Sequence, residues 1–175
     1  MERRTLNFLK HYGKRILLLV YLTPIATTSY AATATTTFQV TATVLKACVV
    51  SATTVAFGTY NPVGGTAATA TGTITTTCTN TTTYTTGLSA GTSTGATVTA
   101  RKMTGQTTSS DLLPYGLYQD SAHSINWGNT PGTDTPAAVT GNGAAQNATV
   151  YGQIAAGTAA PIDTYLDTIT VTVTY

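Results

Sequence analysis

Hydrophobic and polar side chains alternate strictly in residues 37–46, near the amino-terminal end of the chain. Every second position is apolar, at Phe38, Val40, Ala42 and Val44. A β-strand turns successive side chains to opposite faces, so this pattern predicts a strand with one apolar and one polar edge. Extended, the segment would be about 30 Å long, which is the length of a small sandwich. By pattern alone, this strand could complete the protein's own sheet or a sheet of a neighbouring molecule.

The same alternation returns at the carboxyl end, where Thr separates Ile169, Val171, Val173 and Tyr175. Shorter β-type segments are predicted at residues 49–54, 69–79, 81–86, 97–102, 113–120 and 145–155, and Ile74 and Cys78 are expected to point inward. Turn-forming residues predict loops at residues 61–65, 87–95, 105–110 and 126–143. No segment of useful length has the helical period, so the sequence predicts an all-β sandwich.

The first 31 residues have the order of a secretory signal peptide. A basic leader precedes an apolar run at residues 16–26, and small residues at Ser29 and Ala31 offer cleavage after Ala31. A membrane anchor would need about 20 apolar residues, and this run is shorter. We therefore expect residues 1–31 to be removed on export.

Cleavage changes the charge of the protein. The whole chain carries a formal +2, but five of its eight Lys and Arg lie in the leader. Residues 32–175 keep three basic residues against five Asp, a net charge of −2. Without a basic patch, binding to nucleic acid has no electrostatic basis. The remaining 144 residues suit one domain, and the 44 Thr of the chain favour strands with solvated faces.

Little in the chain suggests catalysis or metal binding. Cys48 and Cys78 are the only cysteines, and in an exported protein such a pair predicts one disulfide. A metal site would have only these two and His123 after cleavage, at scattered spacing. Asp120, Ser121 and His123 contain the residue types of a hydrolase triad, but such triads are defined by geometry rather than by nearness in sequence. The sequence predicts no enzyme, no metal and no cofactor.

An ordered set of short motifs resembles the spore coat protein U-like domain, which is found in the pilin subunits of archaic chaperone–usher pili. The motifs are Phe38-x-Val40-x-Ala42-x-Val44 before Cys48, Phe57-Gly58-Thr59-Tyr60, Gly72-x-Ile74 before Cys78, Leu113-x-Tyr115-x-Leu117-Tyr118-x-Asp120, Tyr151-Gly152-x-Ile154, and Tyr165-x-Asp167-Thr168-x-x-Val171-Thr172-Val173. The resemblance covers most of the chain after the leader. Residues 79–97 and 126–143 depart from it.

The resemblance implies an incomplete immunoglobulin-like β-sandwich that is completed by donor-strand complementation. In such a subunit residues 32–46 would be the donor segment, and residues 47–175 the pilin domain. The apolar residues Phe38, Val40, Ala42 and Val44 would enter a neighbouring subunit. Cys48 and Cys78 would bridge neighbouring strands. One wall of the acceptor groove would be formed by Ile169, Val171, Val173 and Tyr175.

The implied function is a structural subunit of a bacterial surface pilus, exported through the periplasm and serving adhesion and biofilm formation. Its implied partners are a periplasmic chaperone, an outer-membrane usher and neighbouring pilin subunits. A coat component with the same fold stays open. The alternative is a self-complete secreted sandwich that binds carbohydrate, with Tyr115, Tyr118 and Trp127 as an aromatic platform.

Overall fold

The computed structural model describes residues 27–175. Most of the predicted signal peptide, residues 1–26, lies outside the described residues. By internal contacts the chain divides into two units, Met1–Thr41 and Ala42–Tyr175. In the described part of the first unit, residues 27–41 are exposed and belong to no strand. Over residues 27–175, no helix is long and apolar enough to span a membrane.

The second unit is built from β-strands, which confirms the predicted all-β class. The strands are β1 (Cys48–Ala52), β2 (Ala68–Cys78), β3 (Thr83–Leu88), β4 (Arg101–Gly105), β5 (Leu112–Tyr118), β6 (Val139–Thr140), β7 (Gln146–Ile154), β8 (Tyr165–Leu166) and β9 (Val171–Thr174). A short 3-10 turn, Pro62–Gly64, lies within the predicted loop 61–65, and the Asn61 side chain caps it by accepting a hydrogen bond from Val63 N.

The strands form two sheets in which all paired strands are antiparallel. The larger has the order β1-β2-β7-β5-β4-β8, and the smaller has the order β6-β3-β9. Strands β8 and β9 are consecutive parts of one carboxyl-terminal run. The first part pairs with β4 and the second with β3. This run therefore links the far edge of the larger sheet to the smaller sheet.

Strand β2 shows why this sequence makes a sandwich. Its inward positions Gly72, Ile74, Thr76 and Cys78 are all buried, while Thr residues occupy the outward positions between them. Thr suits this outward role because its branched side chain favours the extended backbone and its hydroxyl group can be solvated. The predicted inward positions of Ile74 and Cys78 are confirmed.

The buried core is small and contains two residues from predicted loops, Leu88 and Trp127. It consists of Ile74, Leu88, Leu117, Trp127 and Val150. Trp127 is only 1% exposed, and its indole N–H donates to the Thr86 carbonyl at 2.9 Å. The predicted loop 126–143 thus begins with a core residue, and its residues Val139–Thr140 form strand β6.

Two predicted boundaries are wrong. The strand predicted at residues 97–102 begins only at Arg101, because residues 97–100 close a turn in which Thr97 and Ala100 bond each other's backbone. The loop predicted at residues 87–95 begins two residues too early, since Gly87 and Leu88 finish β3 and Leu88 is buried in the core.

Cys48 and Cys78 form the predicted disulfide between neighbouring strands. They are directly opposite each other in the β1–β2 register, with 4.1 Å between their Cα atoms. Just outside the disulfide, Thr79 N donates to the Ala47 carbonyl at 2.9 Å. The bridge therefore fixes the first residue of β1 to the last residue of β2.

Replacing both cysteines with Ser is expected to lower the free energy of unfolding by about 3 to 4 kcal/mol, because the unfolded chain regains the entropy of an open loop. Urea unfolding of the exported protein measures this difference. The single variant Thr77→Ser, beside the bridge on the outward face, serves as the control and is expected to unfold like the wild type. An unchanged midpoint in the double Ser variant would contradict the expectation.

Candidate functional site

The carboxyl-terminal run is paired along one edge only. Strand β9 pairs with β3, with Thr85 opposite Thr174 and Leu88 opposite Val171. Strand β8 pairs with β4. Within residues 27–175, no strand pairs with the opposite edge of β9. Backbone N–H and C=O groups on such an edge are a template for another strand.

Strand β1 is the second one-sided strand, and it lies beside the first. It pairs with β2 alone, and it contacts β9 without sharing a hydrogen-bond ladder with it. The edge of the larger sheet and the edge of the smaller sheet thus meet on one side of the sandwich with their backbone groups unpaired between them.

After β1 the chain turns inward and covers two glycines. Val55 lies against the positions that Cβ atoms would take at Gly72 and Gly152, and the Phe57 ring lies against the latter. Both glycines are on the inward faces of their strands, β2 and β7. Any larger residue there would push Val55 and Phe57 away from the sheet. Val55 and Phe57 therefore line the interior next to the open side.

The interior at this open side is apolar and incompletely covered. Val55, Ile169 and Val171 pack against the buried core but stay only half-buried. On β1, Val50 is on the inward face opposite Thr76, yet 41% of its side chain is exposed. Burying such side chains contributes about 25 cal/mol per Å² of apolar area. The open side is thus an apolar strip with unpaired backbone edges on both flanks.

A polar cluster marks one end of the strip. The Tyr115 hydroxyl donates to Asp167 Oδ2 at 2.7 Å, and Asp167 Oδ1 accepts from the backbone N and the hydroxyl of Thr92. Burial, together with the hydrogen bond to Asp167, raises the pKa of Tyr115 well above its ordinary value, so the phenol stays protonated and donates. The Phe57 ring meets the Tyr115 ring edge-on at 6.2 Å. This cluster fixes the start of the carboxyl-terminal run against β5.

Arg101 organises the backbone behind the strip. Its side chain is 1% exposed and donates to four carbonyl oxygens, those of Leu88, Ser89, Val98 and Trp127, at 2.7 to 3.0 Å. Burial lowers the pKa of the guanidinium, while Tyr115, Asp167 and Asp134 act to raise it. Guanidinium stays charged in proteins. Arg101 therefore ties the end of β3 to the segment that carries Trp127.

The predicted donor residues lie in the open. Phe38, Val40 and Val44 are 85%, 84% and 85% exposed, and Ala42 is exposed as well. Residues 27–47 belong to no strand. Large apolar side chains exposed in a row are unusual for a soluble protein and mark an interaction surface. Of the four predicted groove residues, Ile169 and Val171 contact the core, Val173 is half-buried, and Tyr175 is 55% exposed beyond the end of β9.

The sequence does not predict two features of this site. One is the wall opposite β9, formed by Val55 and Phe57, and the other is the carbonyl cage, the four carbonyl groups that bind the buried Arg101. The motif Phe57-Gly58-Thr59-Tyr60 is visible in the sequence, but nothing in the pattern indicates that Val55 and Phe57 cover glycines on two other strands. Arg101 is the lone Arg of residues 32–175, which carry few charges, and this was the available signal for a buried cation.

Neither the triad nor the aromatic platform has the geometry that its function requires. The Asp120 carboxylate accepts hydrogen bonds from Ser124 and Ile125, while the His123 ring packs between Tyr118 and Tyr151. Trp127 is buried and Tyr115 points inward to Asp167, so these two cannot share a surface with Tyr118.

The sandwich is similar in fold to one chain of a solved chaperone–usher pilus complex. One chain in the crystal structure of the CsuC–CsuE chaperone–tip adhesion subunit pre-assembly complex, from the archaic chaperone–usher Csu pili of Acinetobacter baumannii, matches this protein with a TM-score of 0.52 and 26% identity over 76% of the present chain and 40% of that chain. Protein U of Myxococcus xanthus is 40% identical over 80 residues, which are 46% of this chain and 43% of that protein.

Residues 34–172 match the Spore Coat Protein U domain. The chain belongs to this family, and the family resemblance expected from its motifs is confirmed. The matched regions span less than half the length of either relative. The family and fold are those of structural pilus-type proteins.

Proposed function

We propose that the protein is a structural subunit of a surface fibre that polymerises by donor-strand exchange. In this proposal residues 37–46 of one copy enter the open side of the next copy, between β1 and β9. The observation that carries it is the pairing of two complementary features in one chain: an exposed, alternating apolar segment and an apolar strip with unpaired edges on both sides.

The two features match in length and in chemistry. The carboxyl-terminal run, residues 165–175, has eleven residues, and the alternating segment 37–46 has ten, so they extend about 33 Å and about 30 Å. A strand laid along β9 would supply the missing backbone hydrogen bonds, and its alternate side chains would cover the half-buried Val55, Ile169 and Val171, as in β-strand addition. Phe38, Val40 and Val44 would each contribute about 1.5 to 3 kcal/mol before ordering costs, and Ala42 less.

Donation from one end of a subunit to the side of the next is a heterologous contact. Such a contact does not close on itself and builds a filament. A subunit with an empty slot exposes apolar surface and strand edges, which favours aggregation. A periplasmic chaperone that lends a strand and an outer-membrane usher that exchanges it for the donor segment would solve this problem. The fibre would then stand on the cell surface, serving adhesion and biofilm formation.

The proposal is tested with two variants of the full chain. Deleting residues 32–44 is expected to abolish fibres and keep chaperone binding, because the slot remains while the donor is lost. In the second variant, the deleted chain carries residues 37–46 after Tyr175, joined through a Gly/Ser linker. This variant is expected to be a stable monomer, because the open side is filled from the same chain. Electron microscopy and sedimentation measure both. Fibres from the deletion variant, or a graft that leaves the unfolding temperature unchanged, would count against the proposal.

A further inference from the structure

Three partly exposed rings form a cluster on the outward face of the larger sheet, away from the open edges. Tyr118 on β5 and Tyr151 on β7 are directly opposite each other in register. The His123 ring meets both edge-on, with centroids 5.4 Å from Tyr118 and 6.5 Å from Tyr151 and interplanar angles of 87° and 90°. Neither the core nor the fibre contact proposed above uses these rings.

The loop that carries His123 is tied together by Asp120. The Asp120 carboxylate accepts hydrogen bonds from Ile125 N at 2.8 Å, from Ser124 N and from the Ser124 hydroxyl. These bonds, with that of Ile125 the strongest, lower the pKa of Asp120 and keep it ionised. His123 itself has a φ of 55°, in the left-handed region that few residues other than Gly adopt. Strained backbone of this kind is maintained where the surroundings over-determine it, and it is common at binding sites.

Gly116 lets the Tyr118 ring lie down on the sheet. The hydroxyl end of the ring occupies the place where a Cβ atom at residue 116 would stand. With no side chain at this position, the ring extends along β5 instead of standing up from it. The cluster is therefore a shallow surface and not a protruding knob.

The polar groups around the rings are unengaged. No hydrogen bond within residues 27–175 uses the hydroxyl groups of Tyr118 and Tyr151, the amide of Gln153 or the hydroxyl of Thr71. Gln153 is the next outward position to Tyr151 on β7 and lies opposite Gly116, while Thr71 lies opposite Tyr151 on β2. The carboxylate of Asp120 is taken up by its own loop. Rings, free hydroxyl groups and one free amide thus share a surface beside the ionised Asp120, whose oxygens bond to its own loop.

We propose that this patch, Tyr118, His123, Tyr151 and Gln153, binds a neutral polysaccharide. Sugar rings present flat C–H faces that stack on aromatic rings and hydroxyl groups that pair with amides and phenols. A second copy of the chain fits the patch less well, because its surroundings on β2 are outward Thr side chains and not an apolar surface large enough for a stable protein interface. In a fibre every copy would repeat the patch, so weak single sites would add up to firm attachment.

The test uses the full exported chain and three neutral probes: cellohexaose, maltohexaose and hexa-N-acetylchitohexaose. Titration calorimetry is expected to give a Kd on the order of 1 mM or tighter for at least one probe. Tyr151→Ala and Gln153→Ala are expected to weaken that binding at least about tenfold, the effect of losing about 1.4 kcal/mol. Asn147→Ala is the matched control, since Asn147 is outward on the same strand but pairs with Thr75 at the other end. The control is expected to bind like the wild type.

Three results would overturn this proposal: no binding of any probe, equal weakening in the Asn147 control, or unchanged binding in both patch variants. If Tyr151→Ala does not fold, Gln153→Ala still decides, because its side chain makes no internal hydrogen bond in the described structure. Sedimentation of the same variants tests whether a second copy of the chain, and not a polysaccharide, binds the patch. A shift to smaller species in the patch variants alone would show that a second copy binds there. All patch variants are expected to form normal fibres, so a failure here leaves the proposed function standing.

Discussion

Replacing both Phe38 and Val40 with Asp is expected to abolish fibres and to leave export intact. Both side chains are about 85% exposed in the single chain, so the subunit loses no internal packing. In the proposed fibre they enter an apolar strip, where an ionised carboxylate without a partner is strongly unfavourable. Electron microscopy of cells is expected to show no fibres, while immunoblots are expected to show normal amounts of the exported protein.

The control for this variant lies in the same segment. Gln39 and Thr41 alternate with the apolar positions and belong to the other face of the predicted strand. Changing both to Asp adds the same charge at the same place in the chain, and fibres are expected to form. Normal fibres from the Phe38 and Val40 variant would reject the donor assignment. Loss of fibres in both variants would show that charge, and not burial, is responsible.

The parts of the fold that follow from period-two alternation could be predicted from the sequence. Alternation predicts β-type segments where β2, β5 and β7 lie, and it predicts the inward positions of Ile74 and Cys78, which are both buried. The terminal run from Ile169 was predicted as a strand for the same reason, and β9 forms its central part.

Other parts depend on contacts between distant residues, which one sequence does not reveal. The β character of residues 81–86 is predicted, but the continuation of β3 through Gly87 to the buried Leu88 is not. The Val98 to Arg101 region has strand-like residues, yet Arg101 draws the Val98 carbonyl into a turn. Trp127 lies in a segment of turn formers, and only its hydrogen bond to Thr86 and its burial between the sheets show that it belongs to the core. Only one wall of the proposed groove could be predicted. The carboxyl-terminal strand has a strict alternation of apolar residues and Thr, while the opposite wall at Val55 and Phe57 has no such alternation.

Replacing Arg101 with Met is expected to lower the free energy of unfolding by about 3 to 5 kcal/mol. Met keeps the long apolar stem but removes every donor, so the carbonyl groups of Leu88, Ser89, Val98 and Trp127 lose their partner in a buried site. Each buried unpaired acceptor costs about 1 to 3 kcal/mol, partly offset by removing a buried charge. Domains of this size are stable by only about 5 to 15 kcal/mol. The urea midpoint of the exported protein measures the loss.

Lys102→Met is the matched control, because it removes the next cation along β4 from a half-exposed position. Its unfolding midpoint is expected to stay within about 0.5 kcal/mol of the wild type. A similar loss in both variants would mean that net charge matters and the carbonyl cage does not.

Because the cage holds the end of β3, with which β9 pairs, its loss is also expected to weaken the open side of the sandwich. Addition of a synthetic peptide with the sequence of residues 37–46 is therefore expected to raise the midpoint of the Lys102 variant more than that of the Arg101 variant. This result would link the buried cation to the edge that is proposed to receive a strand.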